Sequence, residues 1–494
     1  MPTEFQTIKF RPQKQTNDIS LTIKLSGTNF NEITESNSNI NEKYNSFSQT
    51  LLASYNQTHP IKEKTVTAKR LKNGWLSKEL LVLVNRKHTL FHAAKNGTIP
   101  ECIYKNYRNQ LDKIINKEKR KYYEGKFKEC KGDPKTHWKI IKQAINETPK
   151  ERETINKLRI NDIEYTDKKD IANKLNKYFA DVGKNLADQM APSPISFRNY
   201  LGAPLPNQFY FSPITSSDVE SGINSLKNKN CDVENIPNRI YKLCAHIIAP
   251  PLANLFNQSI NEGSYPDVLK IAKLTPIYKA SGDRTLPSNY RPISILPTVG
   301  KIFEKVIYKQ LTNYLNVNNI LSPTQFGFRE GHSTGDAVTS FLEKIYKNLH
   351  EKKTTIAVFI DLSKAFDTVP HDILSSKLSH YGIRNSALKW FKSYLSDRGH
   401  YLKIENCSSE INKVAFGVPQ GSILGPILFL IYINDFSKCH DAISFNYADD
   451  KAIIKSGTNT ETLYEATNSE LNKIYNWLLA SKLSLNAAKS VYMK

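Results

Sequence analysis

The stretch TTIAVFIDLSKAFDTV, residues 354–369, reads as a buried strand that ends on a carboxylate. Its first seven residues are apolar or β-branched and bounded by charge, as in a strand covered on both faces. Asp361 stands where that strand should end, and an acidic residue at a strand's C-terminal edge is a common catalytic placement in helix-flanked sheets. Taken alone, Asp361 reads equally as a helix cap. Asp367, six residues on, reads as a local cap or a surface residue.

Downstream, SFNYADDKAIIKS (444–456) alternates Phe445 and Tyr447 before Ala448-Asp449-Asp450, then resumes with apolar Ala452 to Ile454. This is the pattern of a β-hairpin with two aspartates at its tip. By itself an Asp-Asp pair is an ordinary turn dipeptide. A third carboxylate brought within ~4 Å would repel each neighbour by about 4 kcal/mol at an effective dielectric of ~20. Three carboxylates therefore need compensation, from basic side chains or from hard divalent cations. Such cations take all-oxygen ligand sets, and in pairs they clamp both sides of a phosphoryl displacement.

Between the two acidic sites lies AFGVPQGSILGPILFLIYINDF (415–436). Gly417, Pro419 and Gly421 make a tight turn that lets backbone approach a flat substrate, and Ser422 can act as a cap. From Ile423 to Phe436 the run is apolar nearly all round, which implies a buried helix.

At about 150 residues per domain, 494 residues give a prior of roughly three domains. With 39% hydrophobic and 10% aromatic residues, wholesale disorder is excluded. Lysine and arginine number 69 against 47 acidic residues, a net charge of +22 that favours a polyanionic partner, nucleic acid first. The six cysteines form no C-x-x-C pair, so neither a disulfide framework nor a zinc knuckle is indicated. The N-terminus lacks an apolar signal core, and the apolar run from Ile423 to Ile433 is too short to span a bilayer. The expected setting is intracellular, in nucleus or cytoplasm, with no membrane and no small-molecule cofactor.

Residues 1–60, rich in Asn, Ser and Thr, read as a flexible leader. Residues 61–150 hold 23 lysines and arginines against 9 acidic residues, +14 of the total charge. Within them Tyr107, Leu111, Ile114, Ile115 and Tyr122 recur at helical spacing, with Lys113, Lys117, Arg120 and Lys121 on the other face. These four are the candidate phosphate contacts, against the alternative of a solvated helix face. THWKIIKQAI adds a shorter helix anchored by Trp138 and Ile141. Residues 151–204 read as a helical segment and a Pro-rich linker, and the remainder as a compact unit of helices and strands.

The motifs together resemble the reverse transcriptase domain of non-LTR retrotransposons, the jockey-like lineage above all. LTPIYKASGDRTLPSNYRPISILPTVGKIFEKVI (274–307), LSPTQFGFREGHSTGDAV (321–338), FIDLSKAFDTVPHDIL (359–374), GVPQGSILGP (417–426), YADD (447–450) and LSLNAAKS (483–490) stand in family order. The resemblance is strong over about 200–494 and weaker over 45–150. It implies an α+β right-hand polymerase fold, with fingers over 205–354 and a ferredoxin-like palm over 355–494, preceded by the basic helical region. Asp361, Asp449 and Asp450, with the backbone carbonyl of Leu362, would bind two Mg²⁺ ions, or Mn²⁺ in their place. Phe366 would clash with a ribose 2′-hydroxyl, and Gln420 would pack beside the incoming nucleotide. Lys279 and Arg291 would meet its triphosphate, and Lys489 would protonate the leaving pyrophosphate. Arg329 would position template or fingers.

The implied partners are an RNA template, a DNA primer and dNTPs, and the implied activity is RNA-directed DNA synthesis. No segment before residue 200 reads as the endonuclease of full-length relatives. No thumb is expected after Lys489, so the sequence reads as truncated at both ends. The rival function is a catalytically idle remnant that only binds nucleic acid. An RNA-dependent RNA polymerase is disfavoured by Phe366.

Overall fold

The computed structural model describes residues 5–67, 75–130, 134–145, 155–228, 233 and 236–494. They fall into two compact units, 1–12 with 61–153, and 13–60 with 154–494. Parts of the expected 61–150 basic region, including Asn73 and Gly74, lie outside the described residues.

In the first unit, strands Phe5–Phe10 and Lys62–Thr67 pair antiparallel. Helices Lys78–Lys95 and Glu101–Glu129 pack together through buried Leu80 and Leu111, and the Tyr107 hydroxyl donates to the Leu83 carbonyl. Ser77 caps the first of them by accepting from Leu80 N. Lys113, Lys117, Arg120 and Lys121 all face solvent on the long helix, Arg120 paired with Glu124 at 2.9 Å. Helix Pro134–Ala144 differs from expectation in its anchor. Trp138 is 62% exposed, and Ile140 is the residue that is buried.

The flexible leader expected over residues 1–60 is not what the structure holds. Residues 13–60 belong to the second unit, as helices Gln15–Ser26, Phe30–Thr34 and Ile40–Thr58. Ile40, Tyr44, Phe47, Leu51 and Tyr55 recur at helical spacing and enter the main core with Leu21, Leu25 and Phe30. Asn39 caps this helix at Glu42 N, while Asp18 pairs with Arg239 at 2.7 Å and buried Lys43 donates to Gln258. Polar residues dilute the apolar stripe without breaking its period. The Asn-rich composition therefore hid a packed helix.

The second unit is α+β, with two larger sheets. One runs in the order Asn412–Val414, Arg398–Ile404, Ile271–Tyr278, Tyr290–Ile295, with Cys407–Ser408 beside Arg398–Ile404. Arg398–Ile404 is parallel to Ile271–Tyr278, and the other neighbours are antiparallel. Helix Lys168–Asp188, capped by Asp167, covers this sheet with Ile171, Leu175 and Phe179 against Leu274 and Leu402. Residues 399–402 thus pair with 271–274, so this sheet crosses the boundary expected at 354/355. The segment expected as a linker is also held down, for Leu201 is buried and Leu205 N donates to the His380 carbonyl.

The other sheet is antiparallel throughout, in the order Ile443–Tyr447, Asp450–Gly457, Thr354–Ile360, Val491–Met493. Ile356, Val358 and Ile360 share one face, toward Ile474 and Leu478 of helix Thr460–Ala480. Phe359 and Phe445 share the other, where Phe341 of helix Thr334–His350 lies 5.5 Å from each ring. Helix Leu424–Ile433 is buried along nearly its whole length. Among the described residues no helix is long and apolar enough to cross a membrane.

Candidate active site

Asp361 comes directly after strand Thr354–Ile360, where the apolar run ends. Across the sheet, Tyr447 pairs with Asp450 and leaves Ala448 and Asp449 as the hairpin loop. Asp449 is therefore at the tip, whereas Asp450 is the first residue of the returning strand. Ala448 adopts a positive φ of 57°, which costs energy for any residue with a Cβ and must be held. The holder is Gln325, 5% exposed, whose Oε1 accepts from Ala448 N at 2.9 Å and from Gly327 N at 2.8 Å. A Cβ on Gly327 would lie 2.3 Å from Ala448 N, so only glycine lets the loop come this close.

Asp361 is held from the C-terminal side of the chain. Asn486 Nδ2 donates to Asp361 Oδ2 at 2.6 Å, and Asn486 N donates to the Asp361 carbonyl at 2.9 Å. Asp361 N donates to Ser490 Oγ at 3.2 Å. Leu362 bridges Leu485 through hydrogen bonds made by its neighbours, Asp361 and Ser363, so its own carbonyl is not used in that bridge.

Burial, reinforced by Asp450 and Asp361, raises the Asp449 carboxyl above the usual range. Burial and Asp361 do the same to Asp450. Lys451 pulls both down from behind the sheet. Its side chain is 3% exposed, with Nζ 4.2 Å over the Phe436 ring, and burial pushes its pKa down to about 8. Among the described residues no three His, Cys, Asp or Glu side chains close into a metal cluster. The fit to Mg²⁺ therefore rests on the chemistry of the donors. Asp361, Asp449, Asp450 and the Leu362 carbonyl offer only hard oxygens, with mutual repulsion that a divalent cation relieves.

The turn between the acidic elements is pinned on every side. Gly417, at φ 86°, donates to the Val369 carbonyl, Val418 N donates to the Phe366 carbonyl, and His371 shares a hydrogen bond with the Gly417 carbonyl at 2.8 Å. Ser294 N donates to the Gln420 carbonyl, which joins the turn to strand Tyr290–Ile295. Ser422 stands one residue before the N-cap, Ile423, and its Oγ accepts from Gly425 N at 2.8 Å, while buried Glu304 accepts from Ile423 N at 2.6 Å. Phe366 is half-buried, stacked on Phe429 at 4.3 Å with Phe328 edge-on at 6.0 Å. Asp367 is neither a cap nor a free surface group. Its Oδ1 accepts from Gln420 Nε2 at 2.7 Å, and burial pushes its pKa up to about 6.

Arg291, Lys489 and Lys364 all lie within electrostatic reach of Lys279. Burial first, then these three cations, lower the Lys279 pKa, while Asp367 opposes them. Lys364 Nζ lies 3.0 Å from the Tyr178 hydroxyl and 4.6 Å over its ring. Lys489 lines a cavity of about 460 Å³ with Asp361, Asp450 and Tyr447. Arg329 lies outside this cluster, bracing the carbonyls of Ser322 and Gln325. Lys113, Lys117, Arg120 and Lys121 belong to the other unit. Sequence reasoning missed Asn486, Gln325, Lys364 and Lys451. The quoted motifs contained all four without indicating their partners.

Residues 277–494 match the family described as Reverse transcriptase (RNA-dependent DNA polymerase). This segment is similar to a reverse transcriptase domain. Curated proteins similar to the chain come from mobile elements. The protein described as "Probable RNA-directed DNA polymerase from transposon BS" of Drosophila melanogaster is 30% identical over 59% of this chain and 33% of its own length. The RNA-directed DNA polymerase from mobile element jockey of the same fly is 28% identical over 59% of this chain and 32% of the relative. Its Drosophila funebris counterpart is 24% identical over 83% of this chain and 46% of the relative. The chain thus spans between a third and a half of the length of these curated relatives. Among solved structures, apo telomerase from Candida tropicalis, truncated from its C-terminal domain, aligns at 16% identity with a TM-score of 0.33, covering 46% of this chain and 50% of that one. So loose an alignment carries no argument. Within this segment Asp361, Asp449 and Asp450 lie at one end of the two central strands of the four-stranded sheet, with the pinned Gly417–Gly421 turn between them in sequence.

Proposed function

We propose that this chain is an RNA-directed DNA polymerase of a non-LTR retrotransposon, extending a primer 3′-hydroxyl with dNTPs on an RNA template. The observation that carries the reading is the meeting of Asp361 with the Asp449–Asp450 hairpin beside a cluster of cations. In right-hand polymerase terms, we assign the four-stranded sheet to the palm and the hairpin of strands Ile271–Tyr278 and Tyr290–Ile295 to the fingers.

Asp361, the Leu362 carbonyl, Asp449 and Asp450 would hold Mg²⁺ or Mn²⁺, which supplies Lewis acidity toward the primer hydroxyl and the triphosphate. The protein's own groups do the rest. Lys279, Arg291, Lys364 and Lys489 form no ion pair with a described carboxylate, so their charge is available to a triphosphate. An incoming anion relieves their mutual repulsion, which turns a folding cost into binding energy. Lys489 is the proton donor to the leaving pyrophosphate. Phe366, fixed by Phe429, bars a 2′-hydroxyl, and Gln420, fixed by Asp367, packs against the nucleotide. The exposed basic face carrying Lys113, Lys117, Arg120 and Lys121 holds RNA phosphates, and Arg329 braces the segment under the hairpin. With about 6 phosphate contacts to a single strand, RNA affinity falls with salt at a log-log slope near −4.

The test is dNTP incorporation on primed poly(rA) with Mg²⁺ and with EDTA. Incorporation abolished by EDTA supports the reading. A folded protein that binds RNA yet incorporates nothing would establish the idle remnant instead.

A further inference from the structure

We propose that Asn486 is the positioning residue for Asp361, orienting its carboxylate toward the cation and tying it to the segment that carries Lys489. The inference rests on the polymerase reading and adds a residue to it.

The carboxylate of Asp361 sits at the end of a strand, where the ladder no longer constrains a side chain. Asn486 replaces that constraint. Its Nδ2 donates to Asp361 Oδ2 at 2.6 Å, a short charge-assisted bond that engages one carboxylate oxygen. The backbone of the same residue donates to the Asp361 carbonyl at 2.9 Å. The third atom, Asp361 N, donates to Ser490 Oγ, which donates in turn to the Asn486 carbonyl at 3.0 Å. That carbonyl also accepts from Lys489 N at 3.1 Å and Ser490 N at 3.0 Å, closing a tight turn.

Both ends of this turn are fastened to the strand that bears Asp361. Ser363 N donates to the Ser484 carbonyl before it, and Val491, Tyr492 and Met493 pair with Phe359, Val358 and Ala357 after it. Lys489 therefore rides on a loop whose side-chain link to the carboxylate, among the described residues, is Asn486. A neutral amide donor suits this place, since it engages one carboxylate oxygen and leaves the other for the cation. Groups that orient a metal ligand in this way are typically worth 10–100-fold in metal affinity or activity.

The experiment measures Mn²⁺ binding to the full chain by electron paramagnetic resonance, without turnover, beside RNA binding and the Mg²⁺ dependence of incorporation. Asn486→Ala is expected to weaken the Asp361-dependent Mn²⁺ site about 10-fold and to raise the half-saturating Mg²⁺ similarly, with RNA affinity unchanged. Ser490→Ala, which keeps the amide and removes only its brace, should weaken the site about two- to threefold, and it decides the matter if Asn486→Ala does not fold. Unchanged Mn²⁺ affinity in the folded variants, at a site that Asp361→Asn does remove, would overturn the inference alone. Wild-type Mn²⁺ binding that is indifferent to Asp361→Asn would overturn the polymerase reading and the inference with it.

Discussion

Gln420 Nε2 donates to Asp367 Oδ1 across 2.7 Å, joining the glycine-rich turn to the short helical turn that carries Phe366. Burial raises the Asp367 pKa from 3.8 to about 6, against the opposing pull of Gln420, Lys364 and Lys279. A carboxyl raised in the folded state stabilises the fold below its unfolded pKa, and that stability is lost as pH climbs from about 4 to about 6. The loss is on the order of 3 kcal/mol. Asp367→Asn should therefore gain on the wild type across this window. Denaturant titrations from pH 4 to 7 check it, and a difference that stays flat would contradict the raised pKa.

Phe366 is seated between Phe429 and Phe328, so its ring has little room to yield to a larger sugar. Phe366→Ala is expected to lower discrimination against ribonucleotides by about 100-fold, the scale at which a pocket rejects an added hydroxyl. The ratio of kcat/KM for dNTP and rNTP gives the answer, and unchanged sugar selectivity would remove Phe366 from the site.

Gly327 lets the Gln325 segment touch the hairpin loop. Gly327→Ala places a Cβ 2.3 Å from Ala448 N, so the loop carrying Asp449 must move. A shift of about 1 Å at a reacting centre costs roughly 100-fold in rate. Incorporation should fall by that order while RNA affinity holds, as primer extension and filter binding on one preparation would reveal. Full activity would mean the contact is not needed.

Lys451 is buried with no hydrogen-bond acceptor for its Nζ among the described residues. Holding a lysine whose pKa has fallen to about 8 costs on the order of 3 kcal/mol at neutral pH, partly offset by the Phe436 ring. Lys451→Met should raise the thermal midpoint at pH 7. A lower midpoint would show that the cation–π contact outweighs desolvation.

The parts of the site that were legible in the sequence are those encoded locally. Strand Thr354–Ile360 is a short apolar run, the 443–457 hairpin alternates with period two around a two-residue loop, and the buried helix is apolar all round. Each announces itself within its own window. The contacts that hold the site together are not local. Asn486 meets Asp361, and Gln325 meets Ala448, each more than a hundred residues away, and an amide side chain carries no periodic signal. Asp367 looked like a surface residue because the turn that covers it comes fifty residues later. The pairing of 398–404 with 271–278 escaped for the same reason, and composition concealed the stripe from Ile40 to Tyr55.

The most direct measurement compares Asp449→Asn with the wild-type chain for Mg²⁺-dependent dNTP incorporation and for RNA affinity in the same buffer. Asn keeps the size of the side chain at the hairpin loop and removes its charge. Loss of incorporation by at least about 1,000-fold with RNA affinity within twofold is the predicted result, since the charge is needed only by the chemistry. Incorporation that survives the substitution, or that disappears together with RNA binding, would contradict the assignment of Asp449 to the catalytic centre.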